Sequence, residues 1–182
     1  VLTFILASLA IVREREKGTL EQLIPTPLRR SNLVIGKLLP FAILGLLDAG
    51  IIFLLALGWF HVPFRGSLLI LFAAAVVFLV GNLGLGLINS AISRTQQEAQ
   101  IVAFLLIMPS VLLSGFMFPI ENMPRPMQYL TYLIPFRYFL EIVRGVFLKG
   151  VGMGILWPQM LILTGMTLVT LIAGVLSFQK HM

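Results

Sequence analysis

The chain has 182 residues, 59% of them hydrophobic and only 11% charged, with a mean hydropathy of +1.03. A soluble domain carries about a quarter charged residues, so this composition excludes an ordinary soluble globule and specifies an integral membrane protein. Thirteen Lys and Arg against seven Asp and Glu give a net charge of +6. The bases flank apolar runs, as the positive-inside bias and anionic headgroups require, which argues against nucleic acid as the partner, and the absence of cysteine rules out thiolate chemistry.

An apolar run over 1–12 is too short to cross a bilayer, which takes about 20 residues, and reads as the tail of a transmembrane helix cut short at its start. Arg13, Glu14, Arg15, Glu16 and Lys17 then leave the membrane as a block of alternating charge. Gly18 and Thr19 open a short helix with Leu20, Leu23 and Ile24 on one face and Glu21 and Gln22 beside them, stopped by Pro25 and Pro27. With the return through Gly36 and Lys37, residues 13–37 form a protruding hairpin of the kind a soluble partner grips.

Four full spans follow, over 38–60, 68–90, 101–118 and 155–178. The first contains Asp48, the one ionisable residue deep in a span; its plain structural reading is a bundle-interior carboxylate bonded to a partner such as Asn82 or Asn89. The second span is rich in Ala and Gly, suited to close helix packing. The third carries Pro109, which removes a backbone hydrogen bond and favours a kink. Eight Lys and Arg fall on the side of 13–37, 91–99 and the C-terminus, and five on the other, so the 13–37 side is read as cytoplasmic.

Residues 119–150 are too apolar for a solvated linker and too charged to span. Pro126 predicts the start of one helix through Ile134, and Pro135 a second through Leu148. In the second, Phe136, Phe139, Leu140, Val143 and Phe147 form an apolar stripe, while Arg137, Glu141 and Arg144 share another face and can pair. This predicts an amphipathic or re-entrant pair at the outer boundary. The fold class is therefore an all-α polytopic bundle, with one partial and four full spans in a single domain over 1–182.

Catalytic patterns are missing from these residues: no G-x-x-x-x-G-K-[ST], no G-x-S-x-G and no H-E-x-x-H, and His61 and His181 fall on opposite sides of the membrane, so no metal site is read. Two function classes besides a partner-driven transporter stay open. One is a secondary transporter coupled to protons through Asp48; the other is a non-transporting anchor for a cytoplasmic ATPase.

Four segments taken together carry a resemblance. Residues 13–23, Gly36-Lys37, residues 113–124 (with Ser114, Gly115 and Pro119) and residues 133–145 (with Pro135, Arg137, Glu141 and Arg144) resemble the permease subunits of type-2 ABC exporters, bacterial multidrug-type. The resemblance implies six transmembrane helices in a full permease, of which this chain would hold the end of the second through the sixth. It implies a coupling helix over 18–24, led in by 13–17, docking on a separate cytoplasmic ABC ATPase that holds ATP and Mg, with no cofactor on this chain. It also implies a second permease copy, identical or not, a re-entrant region over 119–150 near the substrate exit, and a multi-pass place in the bacterial inner membrane among its lipids.

Overall fold

The computed structural model describes residues 2–17 and 30–180. Seven α-helices account for most of them: α1 (Leu2–Glu16), α2 (Arg30–Gly58), α3 (Leu68–Ile92), α4 (Gln96–Leu113), α5 (Arg125–Thr131), α6 (Pro135–Arg144) and α7 (Met153–Lys180). No strand forms among the described residues. Among them α2, α3, α4 and α7 are long and apolar enough to cross a membrane, which gives the all-α polytopic bundle expected from hydropathy.

Helix ends depart from the predicted spans for local reasons. Helix α1 does not stop at Val12 but runs on to Glu16, because Arg, Glu and Lys are good helix formers and nothing interrupts the chain before Gly18. Helix α4 begins at Gln96, ahead of the apolar run, where Thr95 caps it: the Thr95 hydroxyl accepts from the Glu98 amide at 3.2 Å, and the Glu98 carboxylate accepts from the Arg94 amide at 2.7 Å. This resembles a capping box, with the carboxylate reaching the amide one residue ahead of the cap, and lies in sequence just before the hydrophobic segment. Helix α4 ends at Leu113, so residues 116–118 lie outside it.

The chain divides into two compact units, and the long helices contribute residues to both. Unit 1 holds residues 1–45, 79–106 and 168–182. Its core is Ala7, Ile11, Leu38, Leu83 and Leu87, with Phe41, Ala42 and Val175 packed against it. The buried residues of α1 (Thr3, Phe4, Ala7, Ser8, Ile11 and Val12) follow the helical period and make one stripe. Helices α3 and α7 touch backbone to backbone: a Cβ on Gly84 would lie 2.8 Å from the Leu171 nitrogen, and one on Gly174 would lie 2.5 Å from the Gly84 oxygen. Small residues at a helix crossing allow this approach, and Thr170 adds a 3.5 Å bond to the Gly81 carbonyl.

Unit 2 holds residues 46–78 and 107–167. Its core is Ile70, Ala74, Tyr138, Ile142, Val146, Leu156, Met160 and Leu163. Thr167 donates to the Val77 carbonyl at 3.1 Å, a second α3–α7 bond.

Candidate functional site

Two groups of residues singled out in the sequence are gathered by the fold, one in each unit. The first surrounds the charged block after α1. Gly18, Thr19, Leu20, Glu21 and Gln22 lie outside the described residues. Arg13 to Glu16 belong to the last turn of α1, with Lys17 in the turn that closes it. Arg13 and Lys17 are exposed, but their neighbours are engaged within the chain. Glu14 forms an ion pair with Lys37 of α2. Arg15 donates to the carbonyls of Ser90 and Ala91, at 3.3 and 3.5 Å, in the final turn of α3. Glu16 accepts from the Gln96 side-chain amide at 2.5 Å and from its backbone amide at 3.4 Å, at the start of α4.

Below this layer lies a buried polar knot. Asn89, fully buried, donates to the Ser8 hydroxyl at 2.8 Å and to the Ala99 carbonyl at 2.9 Å, and accepts from the Ser93 hydroxyl at 3.2 Å. Three of the four hydrogen bonds an amide side chain can make thus link α1, the end of α3 and α4. Asn89 is therefore engaged with α1 and α4. Asp48, expected inside the bundle, lies on an exposed face of α2, because Gly45 occupies the buried edge of that turn against Thr3 and Leu79. Asn82 is half-buried on α3, and Pro109 is exposed within α4.

The second group is the segment between α4 and α7. Ser114 closes α4: its buried hydroxyl donates to the Val111 carbonyl at 2.8 Å and accepts from the Phe116 amide at 3.3 Å. Gly115 follows at φ +83, a left-handed conformation in which a side chain would be strained. Pro119 precedes a 3-10 turn, Ile120–Asn122. Pro126 and Pro135 stand in the first turns of α5 and α6, as their lack of an amide hydrogen favours. Helix α5 stops at Thr131, short of Ile134, and α6 gives way at Gly145 to a π turn, Gly145–Lys149, closed by Gly150 at φ +63.

The buried face of α6 differs from the predicted aromatic stripe. Tyr138 and Ile142 of α6 and Val146 of the π turn make the buried line, one turn apart each. The phenylalanines flank it and are used for ring contacts: Phe139 and Phe136 stack on Phe78 at 4.4 and 5.8 Å, and Phe147 meets Phe53 and Phe64 edge-on at 5.8 and 5.3 Å. The expected stripe left out Tyr138, whose hydroxyl finds a partner in the Tyr132 carbonyl at 3.0 Å and can be buried. Burial holds its phenol above the ordinary value, with Arg137 opposing the shift.

The triad of α6 is split. Arg137 Nε bonds Glu141 at 3.1 Å, a second guanidinium nitrogen bonds the buried Thr131 hydroxyl, and the group lies 4.2 Å over the Tyr132 ring. Only 15% of the Arg137 side chain is exposed, so this is an anchored internal cation rather than the polar outer face predicted. Arg144 turns away and donates to the Gly115 carbonyl at 3.0 Å, tying α6 to the end of α4. The sequence reading missed Ser8, Ser90, Ser93 and Gln96 as partners, although Thr95 and Glu98 carried the capping signal that places Gln96 on a helix.

A family model described as ABC-2 type transporter matches residues 1–148. Over 176 residues the chain is 36% identical to a protein of Escherichia coli (strain K12) named probable multidrug ABC transporter permease YbhR, covering 97% of this chain and 48% of that one. Over 151 residues it is 42% identical to the probable multidrug ABC transporter permease YbhS of the same organism, covering 82% and 40%. A more distant similarity, 26% over 177 residues, is to ABC transporter G family member 20 of Dictyostelium discoideum, covering 96% and 24%. The chain spans about half the length, or less, of these relatives.

Proposed function

The chain belongs to the ABC-2 type transporter family, and we propose that it forms the transmembrane part of an ATP-driven exporter moving an amphipathic, drug-like or lipid-like substrate outward across a bacterial inner membrane. ATP and Mg are held by a separate cytoplasmic ABC ATPase, and a second permease copy, identical or not, completes the path. Residues 18–24, led in by 13–17, are the docking element for that ATPase, and residues 119–150 border the exit.

The observation that carries this reading is the way both flanks of the 18–29 segment are fixed. Glu14 on the leading flank is ion-paired to Lys37 on the returning one, so the two flanks are joined to each other. A loop tethered at its base transmits force to the helices it joins, whereas a floppy tail dissipates it. The word multidrug in the names of two relatives supports a drug-like substrate, and the positive charge gathered around residues 13–37 supports the cytoplasmic placement.

The test is reconstitution of the full permease with its ATPase in liposomes. Leu20→Asp and charge reversal at Glu21 should each abolish substrate-stimulated ATP hydrolysis while insertion and basal hydrolysis persist. Unchanged stimulation in both variants refutes the docking assignment.

A further inference from the structure

We propose that Arg15 and Glu16 are positioning residues which make the turn between α3 and α4 move as one piece with the last turn of α1, so that α4 is the helix driven by the ATPase. This rests on the docking reading above. The two neighbouring side chains carry opposite charges and meet two opposite helix ends. Arg15 donates to Ser90 and Ala91, whose carbonyls carry the partial negative charge at the end of α3. Glu16 accepts from the side chain and the first backbone amide of Gln96, where α4 presents partial positive charge. Exchanging the two charges would make both contacts repulsive, so the order Arg-Glu is matched to the order of the helix ends.

The clasp is rigid from beneath as well. Asn89 bonds α1 at Ser8 and α4 at Ala99 from a fully buried position, so neither helix can slip past the other without stranding polar groups. Beside it, Glu14 engages Lys37, bringing the returning flank of the segment into the same cluster. A displacement of the last turn of α1 therefore reaches the α3–α4 turn through Arg15 and Gln96 through Glu16. Within the charged block, exposed Arg13 and Lys17 are left for a partner, while Glu14, Arg15 and Glu16 face inward duties.

Single-cysteine reporters in the cysteine-free chain test this in the complete permease–ATPase complex. Gln97, exposed in the first turn of α4, reports the driven helix as Gln97→Cys, and Thr19→Cys reports ATPase docking. Nucleotide should change the thiol-labelling rate of Gln97→Cys by about fivefold, the low end of ordinary coupling. Adding Gln96→Glu, which sets two carboxylates against each other, should erase that response while Thr19→Cys stays shielded. Adding Glu16→Gln as well restores a donor–acceptor pair and should restore the response. If Gln96→Glu prevents assembly, Arg15→Gln, which removes the carbonyl bonds without adding charge, must lose the same response. A response that persists in Gln96→Glu or Arg15→Gln, or that the exchanged pair fails to rescue, overturns the relay while docking stands. Absence of shielding at Thr19→Cys in the otherwise unsubstituted complex overturns the docking reading and the relay with it.

Discussion

Replacing Gly84 by Ala sets a methyl group against the backbone of α7, where no side chain can rotate away. The new Cβ would lie 2.8 Å from both the Leu171 nitrogen and the Thr170 carbonyl carbon, and 2.9 Å from the Leu171 Cα. These distances fall short of ordinary contact by roughly half an ångström, so α3 and α7 must separate, and overpacking of this kind costs about 1–3 kcal/mol. Separation also breaks the Thr170–Gly81 bond, already long at 3.5 Å and worth about 0.6 kcal/mol in a membrane setting. Against this stands a helix-propensity gain of about 0.5–1 kcal/mol. Gly165→Ala on α7 isolates that gain, since nothing lies within 4 Å of its Cβ. Gly84→Ala should therefore unfold about 1–3 kcal/mol more easily than the native protein, and Gly165→Ala should match or exceed it. Titration of the micelle-solubilised protein with a denaturing detergent, followed by tryptophan fluorescence, gives both values. Equal midpoints for the two variants would refute the backbone-contact argument.

Asn89→Leu removes the buried partner of the Ser8 and Ser93 hydroxyls and a bond to the Ala99 carbonyl, and should lower stability by about 1–3 kcal/mol in the same titration. Arg137→Lys should be nearly as damaging as Arg137→Ala, because an ammonium cannot both lie flat over Tyr132 and fork between Glu141 and Thr131; thermal denaturation of the two variants measures this. Asp48→Asn should not lower stability and should leave the proposed ATP-driven export near native levels, since the carboxylate stands on an exposed face of α2 and Asn keeps hydrogen-bonding capacity without the charge; transport by inverted vesicles, with and without a proton gradient, checks it.

Hydropathy alone was enough to place α2, α3, α4 and α7, because hydrocarbon demands helices with a continuous apolar length and little else. It was blind to polar residues that continue a helix, which is why α1 gained Glu16 and α4 gained Gln96. The two prolines that open α5 and α6 were legible because their effect is local. The site was only partly legible. Arg137 and Glu141 pair as their spacing required, yet Thr131 and Tyr132 come from the preceding turn and no periodicity within α6 points to them. Likewise the partners of Asn89 and Arg15 are distant in the chain, and only packing brings Ser8 and Ser90 to them.

Helix α2 touches its surroundings along one narrow edge: Leu38 in the core of unit 1, Gly45 against Thr3 and Leu79, and Phe53 against two rings in unit 2, each two helical turns from the next. Leu39, Ile43, Leu47, Ile51 and Leu54 on its outward side are each more than half exposed. Mutational tolerance along this helix should therefore be sharply uneven. Leu, Ile, Val and Phe can replace one another on the open side with little consequence, since hydrocarbon does not distinguish their shapes. At Gly45 an added methyl group meets the Thr3 and Leu79 side chains at 2.5 and 2.6 Å, so a change there requires both to shift, and drift is slowed along a single line of an otherwise permissive helix.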